Sequence, residues 1–169
     1  GIAYKSALIA LKKVVRAVVS LQNSFFLFIF APVRLSINEI KSGIMDANGI
    51  IGREYEQKLI LERCNSCKAE LIAVYGRRRV GKTFLVRKMF NDQFAFSFIG
   101  MYEVSRAVQL EQFRMALTQY AKKSVPRLKT WFEAFAALRE YLSGLSQQEP
   151  IVLFFDELPW MDTPKSNFI

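Results

Sequence analysis

Residues 76–83 read Gly-Arg-Arg-Arg-Val-Gly-Lys-Thr and match G-x-x-x-x-G-K-[ST], the pattern of a loop that wraps a polyphosphate. Each fixed position has a physical reason. Gly76 and Gly81 let the backbone turn tightly and approach a phosphate with no Cβ in the way. The loop N–H groups then point inward, and a helix beginning near Gly81 adds the positive end of its dipole. Lys82 can set an ammonium against the β- and γ-phosphates, and the Thr83 hydroxyl can ligate Mg²⁺. A second chemically capable pair, Asp156-Glu157, ends the apolar run Ile-Val-Leu-Phe-Phe at residues 151–155. Asp156 suits Mg²⁺, usually through water. Glu157 suits polarising an attacking water, because phosphoryl transfer to solvent needs a base or positioning group opposite the leaving phosphate. Taken singly, the first motif is also a glycine-rich turn that carries a lysine, and the second a strand that ends in acidic turn residues. Their joint occurrence and their flanking elements favour the chemical reading.

Those elements follow from apolar spacing. Residues 71–75, Leu-Ile-Ala-Val-Tyr, form a short apolar run that predicts a buried strand ending at Gly76. From Lys82 onward, Leu85, Val86, Met89 and Phe90 recur at helical spacing. Residues 94–99 predict a second strand, stopped by Gly100. Leu110, Phe113, Leu117 and Tyr120 make a helical stripe that ends at Lys122-Lys123. Thr130 and Glu133 form a capping box for a helix whose inner face is Trp131, Phe135, Leu138 and Leu142, with Gly144 as its C-cap. These aromatic stripes read as core rather than as a platform for stacking nucleic-acid bases. The fully apolar strand at 151–155 belongs in a sheet covered on both faces, and the C-terminal edge of such a sheet is where α/β ligands bind. The fold class is α/β.

Composition narrows the chemistry. The 169 residues can bury one sizeable core, and 51% of them are hydrophobic, so disorder is not the default. The formal charge is +9, from 24 basic and 15 acidic residues, which favours phosphates, nucleic acid or an anionic surface as partners. Arg77, Arg78, Arg79 and Lys82 contribute to that excess from within the loop itself. There is no histidine, which excludes histidine-based triads and histidine metal sites within these residues. Cys64 and Cys67 form a lone C-x-x-C. Since Ile60, Cys64 and Cys67 share one face of a helix expected to run to about residue 67, the thiols read as buried packing rather than as half a zinc site or a redox dithiol. A reducing cytoplasm fits.

Residues 1–44 differ from the rest. A helical stripe (Leu8, Leu11, Val15, Val18) mixed with lysines is followed by Phe-Phe-Leu-Phe-Ile-Phe-Ala at 25–31, closed by Pro32. A basic region ahead of an apolar one has the order of a signal peptide or membrane anchor, but the apolar run is too short to span a bilayer. The first methionine is Met45. The favoured reading makes 1–44 a non-core extension of translated upstream sequence, with a membrane-associating segment and a folded extension as alternatives. Residues 45–169 are then the part of an ATPase domain present here.

The strings Gly52-Arg53-Glu54, residues 76–83, and Phe-Asp-Glu-Leu-Pro-Trp at 155–160 together resemble the archaeal and bacterial AAA-type ATPases, a branch of the AAA+ and STAND-like P-loop proteins. The resemblance implies a P-loop NTPase with three α/β/α layers, a mostly parallel sheet and ATP with Mg²⁺ as cofactors. Its nucleotide-binding set is Gly76, Arg77, Arg78, Arg79, Val80, Gly81, Lys82, Thr83 and Phe84, joined by Gly52 and Arg53 near the adenine. Lys82 and Glu157 are the catalytic candidates, and Thr83 and Asp156 the metal ligands. ATP binding and Mg²⁺-dependent hydrolysis follow for the parent protein. A homo-oligomer or a protein client are the partners the resemblance implies.

Two other readings stay open. One is a nucleotide-dependent switch with slow turnover; the other is a DNA-associated ATPase using Lys122, Lys123, Arg127 and Lys129. In the resembled family the sheet order is 5-1-4-3-2, and the family's sensor residue, arginine finger and lid are expected after residue 169. The domain is therefore expected to be incomplete at its C-terminus and inactive alone. The strands at 71–75 and 151–155 are expected to face a gap, pair directly or stay partly unfolded.

Overall fold

The structure, a computed structural model, describes residues 24–30, 50–66, 69–145 and 151–162. In chain order its elements are β1 (Ser24–Phe30), α1 (Glu54–Cys64), β2 (Ala69–Tyr75), α2 (Lys82–Met89), β3 (Phe96–Ile99), α3 (Arg106–Ala121), α4 (Trp131–Ser143), β4 (Ile151–Asp156) and a 3₁₀ turn, Leu158–Met161. The strands form one four-stranded sheet in the order β2-β1-β4-β3. β3 and β4 are parallel, with Phe96 opposite Leu153 and Ile99 opposite Asp156. Because β1 runs antiparallel to both β2 and β4, those two strands also run the same way as each other.

Successive side chains of a strand point to opposite faces, and the apolar strands use both. All six residues of β4 are buried. Ile151, Leu153 and Phe155 pack with Leu110, Phe113 and Leu117 of α3 and with Trp131, Leu138 and Leu142 of α4. Val152 and Phe154 pack on the other side with Ile60 and Cys64 of α1 and with Leu85, Val86 and Met89 of α2. β2 divides the same way, with Leu71 and Ala73 against the first cluster and Ile72 and Val74 against the second. Helices thus cover the sheet on both faces, an α/β arrangement. The aromatic stripes are core: the Phe113 ring lies 5.0 Å from Phe96, 5.2 Å from Phe98 and 5.6 Å from Trp131, centroid to centroid.

Several boundaries differ from the sequence expectation. α1 ends at Cys64, with Asn65 as its C-cap, and Cys67 lies outside the described residues. The buried Cys64 thiol is pushed up to about 12 by desolvation, so it stays protonated. Thr130 caps α4 by accepting the Glu133 N–H at 3.1 Å, but the Glu133 carboxylate takes the N–H of Lys129, one residue before the cap, at 2.8 Å. Gly144 ends α4 in the right-handed region, whereas Lys122 ends α3 with φ 52° in the left-handed one.

The largest difference lies between the two motif-bearing strands. The favoured sequence reading set 1–44 outside the core, with a folded extension as an alternative, and expected a gap, a direct pairing or partial unfolding there. Instead Ser24–Phe30 occupies the position, pairing Ser24 with Tyr75 through Phe30 with Ala69 on one side, and Phe26 with Phe155 through Phe30 with Ile151 on the other. Two facing strand edges present N–H and C=O groups that are costly to bury unpaired. A Phe/Ile-rich run of high β-propensity with no proline supplies both ladders. An anchor-like apolar run and a central strand have the same composition, which is why the sequence alone does not separate them. The other residues of 1–44 lie outside the described residues.

Candidate functional site at the C-terminal edge of the sheet

β2 delivers the chain to the sheet edge at Tyr75, and Gly76 leaves it with φ 143°. The return into α2 passes through Arg79 at φ 61° and Gly81 at φ 79°, both left-handed. Gly81 is the N-cap of α2, and a Cβ built there meets nothing within 4 Å. The backbone angle, not space, is what calls for glycine at this position. Lys82 and Thr83 open the helix. The Lys82 ammonium donates to the carbonyls of Gly76 at 3.0 Å and Arg77 at 2.8 Å, so it lies across the loop.

β4 brings Asp156 to the same edge. Thr83 Oγ1 donates to Asp156 Oδ2 at 3.1 Å, and the Glu157 N–H donates to Asp156 Oδ1 at 3.0 Å. Asp156 is only 9% exposed. Burial raises its pKa, against the opposing pull of the Thr83 hydrogen bond, the Glu157 N–H and the nearby Arg87 and Lys82 charges. Glu157 adopts φ 50°, which ends the strand and caps the 3₁₀ turn. Its pKa is raised by burial and by the Asp156 charge, and drawn down by Arg78 and Lys82. Glu157 Oε2 is buried and has no hydrogen-bond partner among the described residues.

The segment before α1 reaches the loop from the other side. Gly52 and Arg53 are both left-handed, at φ 76° and 63°, and Arg53 is the N-cap of α1. The Arg53 guanidinium donates to the Val80 carbonyl, and Gln57 Nε2 donates to the Gly52 carbonyl at 3.0 Å. Phe84 and Val80 are exposed. The Arg78 guanidinium lies 5.9 Å from the centroid of the Trp160 ring. The structure therefore gathers Gly52, Arg53, residues 76–83, Asp156 and Glu157 around one edge. Of the basic residues considered for DNA, Lys122 caps α3 and Lys123 is paired with Glu140 at 3.0 Å.

Sequence reasoning missed three residues at this edge. Gln57 and Gln109 are buried amides whose partners are backbone groups, and Gly100 touches the Glu157 backbone. For Gln109 a signal existed: at four residues before Phe113 it shares the inner stripe of α3, where a polar residue needs a partner.

The chain is similar to an uncharacterized ATP-binding protein of Methanocaldococcus jannaschii, with 42% identity over 43 residues that cover 25% of this chain and 73% of that protein. No family model matches the chain, and no solved structure matches it. Among the described residues no helix is long and apolar enough to cross a membrane. With nearly three quarters of that relative covered at this identity, the chain belongs to the family of the Methanocaldococcus ATP-binding protein.

Proposed function

We propose that the chain binds ATP with Mg²⁺ at residues 76–83 and, with Ser24–Phe30 filling the gap on which the expectation of an inactive domain rested, hydrolyses it, as an AAA-type ATPase with a three-layer P-loop fold. The observation that carries this reading is the Thr83–Asp156 hydrogen bond, which joins the two motifs across the sheet edge beside Lys82. The ATP-binding relative supports the choice of nucleotide.

The residues present fit a hard divalent cation. Thr83 and Asp156 offer oxygen donors already at hydrogen-bond distance, and the next residue, Glu157, has a buried oxygen with no hydrogen-bond partner among the described residues. Bound there, Mg²⁺ would neutralise charge on the β- and γ-phosphate oxygens. The chain's own residues do the rest. Loop N–H groups and the N-terminus of α2 hold the phosphates. Lys82 exchanges the Gly76 and Arg77 carbonyls for phosphate oxygens. Glu157 accepts a proton from the attacking water, and a carboxylate whose pKa is raised is the stronger base for that task. Gly52 and Arg53, tied to the loop through Val80, flank the nucleoside end.

Steady-state turnover of Mg·ATP by the chain and by Glu157→Gln, beside binding measured by calorimetry, tests this function. Binding is expected to persist in the variant while turnover falls at least ~100-fold. Equal turnover in both proteins would remove Glu157 from the chemistry. Tight binding with negligible turnover in both would favour a nucleotide-dependent switch.

A further inference from the structure

Gln109 is fully buried in α3, at 0% exposure, and both polar atoms of its carboxamide are engaged. Its Oε1 accepts the Met101 N–H at 3.2 Å, while Nε2 donates to the carbonyls of Met101 at 2.7 Å and Trp160 at 2.8 Å. One side chain thus joins the loop that leaves β3 to the 3₁₀ turn that leaves β4. The joint lies directly behind Glu157. The Trp160 N–H donates to the Glu157 carbonyl at 3.0 Å. A Cβ added at Gly100 would stand 2.3 Å from that same carbonyl oxygen, so the two loops touch there backbone to backbone. The Trp160 ring faces two ways, 5.4 Å from Tyr102 and 5.9 Å from the Arg78 guanidinium of the phosphate loop.

We propose that Gln109 is a positioning residue for hydrolysis: by clamping Met101 to Trp160 it sets the backbone of Glu157, and through the Trp160 ring it sets Arg78. This inference rests on the reading of Glu157 as the group that activates water. Three features favour a positioning role over a purely structural one. Glu157 has a left-handed backbone, a conformation a non-glycine residue keeps only when its surroundings hold it. Its Oε2 is buried and makes no hydrogen bond among the described residues, so no partner there holds that oxygen in place. The clamp also touches both halves of the site, since Trp160 donates its N–H to the Glu157 carbonyl and carries the Arg78 guanidinium over its ring.

The test uses the full 169-residue chain with Mg·ATP, comparing wild type, Gln109→Met and Glu157→Gln below their melting temperatures. Methionine keeps the unbranched shape and removes the hydrogen bonds. The expected result is Mg·ATP affinity within about threefold of wild type with kcat lower by about 10–100-fold, the size of a small misplacement of a reacting group. The number of Mg·ATP sites per chain should stay at the wild-type value, which loss of folded protein alone would lower. Unchanged kcat in Gln109→Met, or a parallel loss of binding and turnover, overturns the proposal while Glu157→Gln remains slow. If Glu157→Gln equals wild type, the underlying reading fails instead, and the proposal with it. If Gln109→Met does not fold, Gly100→Ala displaces the same joint from the opposite side. Retained binding with a similar loss of kcat is expected there, and unchanged kcat overturns the proposal.

Discussion

The Thr83 hydroxyl and the Asp156 carboxylate meet at 3.1 Å although 73 residues separate them. Thr83 sits in the first turn of α2 and Asp156 at the last position of β4. The contact fixes the distance between the phosphate loop and the acidic pair. It also restrains a buried carboxylate that would otherwise hold its proton more strongly, since the Thr83 bond lowers the Asp156 pKa against the effect of burial.

Thr83→Val keeps the β-branched shape and removes the hydroxyl. Affinity for Mg·ATP should fall about tenfold or more, by loss of a cation ligand and of the hydrogen bond that orients Asp156. Affinity for ATP in excess EDTA should change little. Equal losses with and without Mg²⁺ would place Thr83 outside the metal's reach.

The acidic pair also sets a pH dependence of stability with an unusual sign. Asp156 and Glu157 both have folded-state pKa values raised above their ordinary ones, chiefly by burial. Between the ordinary and the raised value the folded state binds more protons than the unfolded state. Stability from these groups is therefore greatest below that window and falls as pH rises through it. Glu157→Gln removes one of the two titrations. Its melting temperature relative to wild type should climb as pH rises from the ordinary carboxylate range, then level off. A difference that is flat with pH would contradict the raised Glu157 value.

β1 gives a prediction that departs from the sequence reading of residues 1–44. Leu27 lies opposite Ile72 on one side and Phe154 on the other, inside both ladders. Leu27→Pro removes an N–H there and leaves a facing carbonyl unpaired, at about 1–3 kcal/mol before any local rearrangement. The thermal midpoint should drop and nucleotide affinity with it, because β2 and β4 carry the two motifs. A chain beginning at Met45 should lose cooperative unfolding. Wild-type melting and binding in both variants would show that Ser24–Phe30 does not hold the motif strands together.

Residues 76–83 are legible from sequence because a phosphate-binding loop is contiguous. Its glycines, its lysine and its flanking strand and helix lie within about twenty residues, and the structure returns the same elements with ends moved by one or two positions. β4 is legible for the same local reason, as an unbroken apolar run ending in acid. Ser24–Phe30 is not, because the partners of an apolar strand are set by edges far along the chain, and composition says only that the run must be covered. The spacing of Gln109 marks it as buried, but its partners are hidden for a related reason. Two of its hydrogen bonds go to backbone carbonyls 8 and 51 residues away, and backbone groups carry no sequence signature. The direction of Glu157 depends on those same distant contacts, so a sequence motif can nominate the residue but not its conformation.

Nucleotide binding at the loop underlies every step above, and calorimetric titration of Mg·ATP into the chain and into Lys82→Ala measures it. Lys82 is a side-chain cation held over the loop by two backbone carbonyls, and phosphate oxygens are expected to replace those acceptors. Binding to wild type should saturate, with a loss of about 100-fold or more in Lys82→Ala, the scale of a charge-assisted phosphate contact. Absence of binding to the folded wild-type chain, or equal affinity in the two proteins, would contradict nucleotide binding at the loop.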